Sequence, residues 1–102
     1  MIQVVLTSAA EADVEEAVEW YDRRENGLGK AFAAEVLAAV VRIEDFPKAW
    51  PPFGVRGRRC LLDRFPYAVV YRLDDDIAVV AGVMHLKRLP RKWLSRLKNL
   101  DM

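Results

Sequence analysis

Apolar positions along the chain change period several times, and each change marks an element. Ile2 to Leu6 is a short β-prone run. Ser8-Ala9-Ala10-Glu11 then fits a capping box, with Ser8 accepting from the backbone at Glu11 while Glu11 reaches back. Ala10, Val14, Ala17, Val18 and Tyr21 recur at helical spacing, and Glu11, Glu15, Glu19 and Asp22 fall between them as a wet, acidic face. Asn26-Gly27 supplies a left-handed stop. A second helix is predicted from Leu28 to Phe46, closed by Pro47. Its stripe of Phe32, Val36, Ala39, Val40 and Ile43 is widened by Leu37 and Val41, as suits a helix packed on both another helix and a sheet. The short Asn-Gly-Leu-Gly connection makes the two helices an antiparallel hairpin.

After the helices the period shortens to two. Lys48 to Gly54, with Pro51 and Pro52 and Pro47 before it, reads as an irregular surface loop. Three strands are predicted next, at Val55 to Asp63, Tyr67 to Leu73 and Ile77 to His85. The turn Asp74-Asp75-Asp76 joins the last two as a β-hairpin. In the third, Ile77, Val79, Ala81 and Val83 take one face, and Ala78, Val80 and Met84 take the other. Both faces are apolar, which implies a central strand covered on each side. Pro90 suits the first position of a short helix carrying Trp93, Leu94 and Leu97. The order is β-α-α-β-β-β-α, an α+β fold in a single domain spanning 1–102, without repeats or linkers.

Composition narrows the function classes. No apolar run approaches the roughly 20 residues that span a bilayer, so no membrane association is expected. The start Met1-Ile2-Gln3 enters a strand-like run directly, without a basic segment or cleavage site, which predicts a cytoplasmic protein. Cys60, the single cysteine, allows no internal disulfide or cysteine-based zinc cluster, and one histidine builds no multi-histidine metal site. No metal or cofactor is therefore expected. Gly27-Leu28-Gly29-Lys30 has only a faint likeness to a phosphate loop, because the flanking glycine and the hydroxyl residue are missing.

The net charge of +1 hides a strong separation. Glu11 to Glu25 holds seven acids against two bases, Arg56 to Arg64 four arginines against Asp63, and Lys87 to Lys98 six bases and no acid. Such a chain presents a polarised surface, fit either for solubility alone or for meeting nucleic acid, its machinery or an acidic partner. Two basic constellations stand out. Alternation places Arg56 and Arg58 on one strand face and Arg59 on the other, and at least two of them should be exposed or meet an anion. The second runs from His85 through Lys87, Arg88, Pro90 and Trp93 to Arg96. His85 at a strand end suits either proton exchange or orientation of the following turn. Trp93 suits a helix anchor better than a stacking platform.

These residues carry a resemblance. Arg58-Arg59 followed by Phe65-Pro66-Tyr67 and Tyr71 resembles the signature of RelE/ParE-type toxins of type II toxin–antitoxin systems. The tail of His85, Arg88, Pro90, Trp93 and Arg96 is similar to the ending of that family's ParE and plasmid-stabilisation branch. The resemblance covers nearly the whole chain and implies the same hairpin-on-sheet architecture. It further implies a cognate antitoxin partner, in a toxin–antitoxin hetero-oligomer, and a basic surface of Arg58, Arg59, Arg88, Trp93 and Arg96 that binds the target. ParE-like members inhibit DNA gyrase without hydrolytic chemistry. RelE-like members cut messenger RNA on the ribosome, and in that case Arg59, His85 and Arg88 would be the catalytic candidates. No tyrosine follows Tyr71, which favours the gyrase alternative. A degenerate member that binds its antitoxin without toxicity is the third alternative.

Overall fold

The computed structural model describes residues 2–88 and 90–100. Its elements are β1 (Gln3–Leu6), α1 (Ser8–Arg24), α2 (Leu28–Asp45), β2 (Pro52–Phe53), β3 (Gly57–Leu61), β4 (Tyr67–Asp74), β5 (Ile77–His85) and α3 (Pro90–Lys98). The strands form one sheet in the order β1-β5-β4-β3-β2, with β1 parallel to β5 and the other pairs antiparallel. Alternation along β4 divides the core between the two faces. Val69 and Tyr71 pack under the α1–α2 hairpin with Phe32, Ile43 and Val80. Ala68 and Val70 face the other way and pack with Met84, Trp93 and Leu97. The last two of these lie on α3, so the sheet is covered on both sides, and β5, β4 and β3 are its interior strands.

Helix α1 starts one residue earlier than the capping box implies. Thr7 is the N-cap; its hydroxyl accepts from Ala10 N at 3.1 Å and donates to Val80 O at 3.0 Å. The strand pairing decides the matter. The β1 ladder ends at Leu6 opposite Val80, which leaves Thr7 extended, at the junction with the helix. Its third helical residue is Ala10, so no capping box can close. At the far end Gly27 adopts φ 91°, the left-handed stop expected there. The likeness to a phosphate loop dissolves into helix packing, because Gly29 N donates to Asp22 Oδ1 at 2.8 Å. A Cβ at Gly29 would collide with the Val18 carbonyl and the Asp22 carboxylate.

Two further expectations are corrected. The proline-rich segment is not wholly irregular, since Pro52 and Phe53 pair with Arg58 and Gly57. Proline is tolerated there because β2 is the edge strand and needs no outward donor. Simple alternation along β5 also fails. Val70 pairs with Gly82 but Tyr71 pairs with Val80, so Ala81 is an extra residue, a β-bulge. The bulge exchanges the faces, putting Ala81 with Met84 beneath α3 and Val83 with Val80 beneath the hairpin.

Helix α3 is held to the sheet by polar contacts as well as apolar ones. Beyond Val80 the β5 edge has no strand beside it, and side chains satisfy its backbone. Asp13 Oδ2 accepts from Val83 N at 2.9 Å, and Arg96 Nη1 donates to Ala81 O at 3.2 Å. Arg72, only 3% exposed, donates to Leu97 O in the last turn of α3 and forks onto Asp74 at 3.1 and 2.7 Å. A cation at a helix C-terminus also meets the negative end of its dipole.

Candidate functional site

An open cleft of about 530 Å³ lies where α1, the β4–β5 ends and the turn into α3 converge. Helix α1 contributes Glu16, Trp20 and Arg23, a stripe at spacings of four and three that turns one helix flank toward the sheet end. Tyr67 and His85 come from directly opposed positions on β4 and β5, and their rings meet edge to face at 4.9 Å. Lys87 and Arg88 follow on the turn, and Lys92 and Trp93 close the cleft from α3.

The two rings at its base are constrained. Lys87 N donates to His85 Nδ1 at 3.1 Å, so in this geometry the proton of the neutral ring sits on Nε2. Arg88 N donates to the His85 carbonyl at 3.0 Å, which makes His85 the residue that shapes the turn. Burial pushes the Tyr67 phenol above its ordinary value, and neighbouring Tyr21 adds to the rise, against a smaller opposing pull from Arg88. The phenol therefore stays protonated at neutral pH. Arg23, Lys87 and Arg88 are exposed and their side chains enter no ion pair among the described residues.

The residues singled out from the sequence separate into two places. His85, Arg88 and Trp93 line the cleft together. Trp93 is 3% exposed and sits under the Arg96 guanidinium at 4.3 Å, so most of the indole is core. Arg96 stands just behind it, bound to Asp13 at 2.6 Å. Arg58 and Arg59 lie on β3, with β4 between them and β5, and line no part of the cleft. They occupy opposite faces, as alternation requires: Arg58 donates to Trp50 O at 2.7 Å, and Arg59 lies 5.4 Å from the Phe53 ring. Arg56 precedes the strand, in the turn after β2, so alternation does not govern it. Leu89, between Arg88 and α3, lies outside the described residues.

Sequence reasoning missed the α1 wall. Glu16 and Arg23 were absorbed into a helix of many charges, although Trp20, 44% exposed in their midst, was a signal that this flank is not plain solvent-facing surface. Among the described residues no group of three or more His, Cys, Asp or Glu side chains is placed to hold a metal ion. No described helix is long and apolar enough to cross a membrane.

A helical hairpin on a mixed sheet with a basic, aromatic-walled cleft at one end defines a small α+β architecture. The family model of the ParE toxin of type II toxin-antitoxin system, parDE, matches residues 4–90, and the chain belongs to that family. A solved structure described as the chromosomal ParDE TA system from P. aeruginosa superposes with a TM-score of 0.65. The likeness covers 85% of this chain and 98% of that one at 15% identity, so it speaks to the shared fold. No curated protein matches the sequence.

Proposed function

We propose that this ParE-family chain is a cytoplasmic toxin that inhibits DNA gyrase by binding it and is silenced by a cognate antitoxin. The observation that carries this reading is the state of the cleft's proton-transfer groups. His85 Nδ1 is occupied by the Lys87 N–H, and Tyr67 is held in its protonated form. RNA cleavage needs one group to take the 2′-hydroxyl proton and another to protonate the leaving oxygen. The cleft supplies cations in abundance, suited to binding, with neither ring poised as a base. In this reading Arg88 meets the target directly, Arg58 and Arg59 add positive charge outside the cleft, one on each face of β3, and Trp93 and Arg96 act by fixing α3.

The antitoxin half of the proposal is supported by an apolar outer face. Leu37, 65% exposed, and Val41 stand one turn apart on α2, and exposed Leu61 lies on neighbouring β3. An amphipathic antitoxin segment packed there would complete a toxin–antitoxin hetero-oligomer. The ribonuclease reading keeps one observation in its favour, the meeting of Tyr67, His85 and Arg88 in one cleft. Induced expression in bacteria separates the alternatives. Growth arrest relieved by the antitoxin, with relaxed plasmid DNA, is the expected result. Arrest with cut messenger RNA and normal supercoiling would install the ribonuclease, and normal growth at high soluble levels would indicate a non-toxic antitoxin-binding member.

A further inference from the structure

The cleft does not end at Arg23. A second depression, lined by Trp20, Arg23 and Arg24, adjoins it and shares both Trp20 and Arg23 with it. Trp20 thus stands between two concavities, with its indole 44% exposed. Arg24 lies over the ring at 3.9 Å, and Tyr21 meets it edge to face at 4.9 Å, so the platform is braced in place. On either side are the cations Arg23, Lys87, Arg88 and Lys92; the acids lining the cleft are Glu16 and Asp13, and Arg96 already neutralises Asp13. A flat, braced aromatic between unpaired cations is the chemistry that receives successive bases and phosphates of an unpaired strand. A duplex keeps its base faces stacked inside and offers this platform nothing but phosphate.

We infer that the groove running from Arg88 across Trp20 to Arg24 holds a segment of single-stranded nucleic acid, with a base stacked on Trp20 and phosphates on Arg23 and Arg88. The groove reads neither sequence nor sugar, because stacking and phosphate contacts are common to all nucleotides. The inference rests on the cleft being the toxin's working surface, and names what that surface touches besides a protein target. Glu16 opposes the strand by its charge and weakens the site.

The test is binding of a labelled short oligothymidylate to the purified chain, read by fluorescence anisotropy across a salt series, with oligouridylate and duplex DNA of equal length alongside. Both single strands should bind, with affinity falling as salt rises, and the duplex should bind less well. Trp20→Ala should weaken single-strand binding about tenfold or more, as should the pair Arg23→Ala and Arg88→Ala, and Glu16→Gln should strengthen it. These side chains are exposed, and an unchanged melting curve checks that the variants fold. Absence of single-strand binding at low salt, or binding untouched by Trp20→Ala and the arginine pair, overturns the inference. Gyrase inhibition without any strand binding overturns this inference alone; strand binding without gyrase inhibition overturns only the gyrase reading.

Discussion

Asp13 and Arg96, 83 residues apart, form a two-pronged ion pair at 2.6 and 3.2 Å that ties α1 to α3 around the edge of β5. The same carboxylate oxygen accepts from Val83 N, so one side chain satisfies a strand edge and clamps a helix. Both partners are largely sheltered, with side-chain exposures of 16% and 23%. Removing either leaves a charge or a backbone donor without its partner in a site with little water.

Asp13→Ala is therefore expected to cost about 2–4 kcal/mol in urea denaturation. Arg96→Ala should cost less, because Val83 N keeps its acceptor. A double-mutant cycle should show strong coupling between them. Gly82 reports on the same clamp, since a Cβ there would come within 2.5 Å of Arg96 Nη1 and 2.6 Å of Trp93 Cζ3. Gly82→Ala should loosen α3 and raise hydrogen exchange in residues 90–98.

Tyr71 sets the alkaline limit. It is fully buried, and its hydroxyl donates to Pro47 O at 2.6 Å, pinning the end of the hairpin to the sheet. Burial pushes its phenol up to about 12 from an ordinary 10.0, against a weaker pull from Arg58. The unfolded chain ionises Tyr71 near pH 10 and the folded chain does not. Its stabilising share is thus complete below pH 10 and drains away as the pH climbs toward 12, by up to about 3 kcal/mol. Tyr71→Phe should flatten that alkaline loss at a cost of about 1 kcal/mol at neutral pH from the lost hydrogen bond.

Glu35 sets part of the acid limit. Its Oε1 accepts from Asp63 N and Arg64 N at 3.0 Å each, and Oε2 pairs with Arg64 Nε at 2.8 Å. Burial alone would raise its pKa, but the bonds from the Arg64 backbone and guanidinium outweigh that and leave it below 4.5. The contribution is present above pH 4.5 and is lost as pH falls through the lowered value. Glu35→Gln should destabilise the protein by about 1–2 kcal/mol at pH 7, and the gap from the native chain should close on acidification.

Particular residues explain how far the sequence could be read. The limits of β5 were legible because an acidic turn precedes Ile77 and a charged turn follows His85. The hairpin was legible because Gly27, lacking a Cβ, takes at little cost the left-handed conformation that stops a helix. The bulge at Ala81 was not, since an extra residue in a uniformly apolar strand leaves no mark on the pattern. Thr7 and Ser8 are adjacent hydroxyls, and only the β1–β5 register tells which one caps. The basic tail was visible, but its partition was not. Arg96 turns inward to an acid 83 residues away, Arg88 stays outside, and the rotation of α1 that brings Glu16, Trp20 and Arg23 to the cleft is a tertiary outcome.

The most direct test is a gyrase supercoiling assay with the purified chain, run beside programmed ribosomes translating a defined message. The account predicts inhibited supercoiling and an intact message, with inhibition surviving His85→Ala and weakened by the charge reversal Arg88→Glu. Unimpaired supercoiling together with site-specific cuts in the ribosome-bound message, abolished in a folded His85→Ala protein, would contradict it.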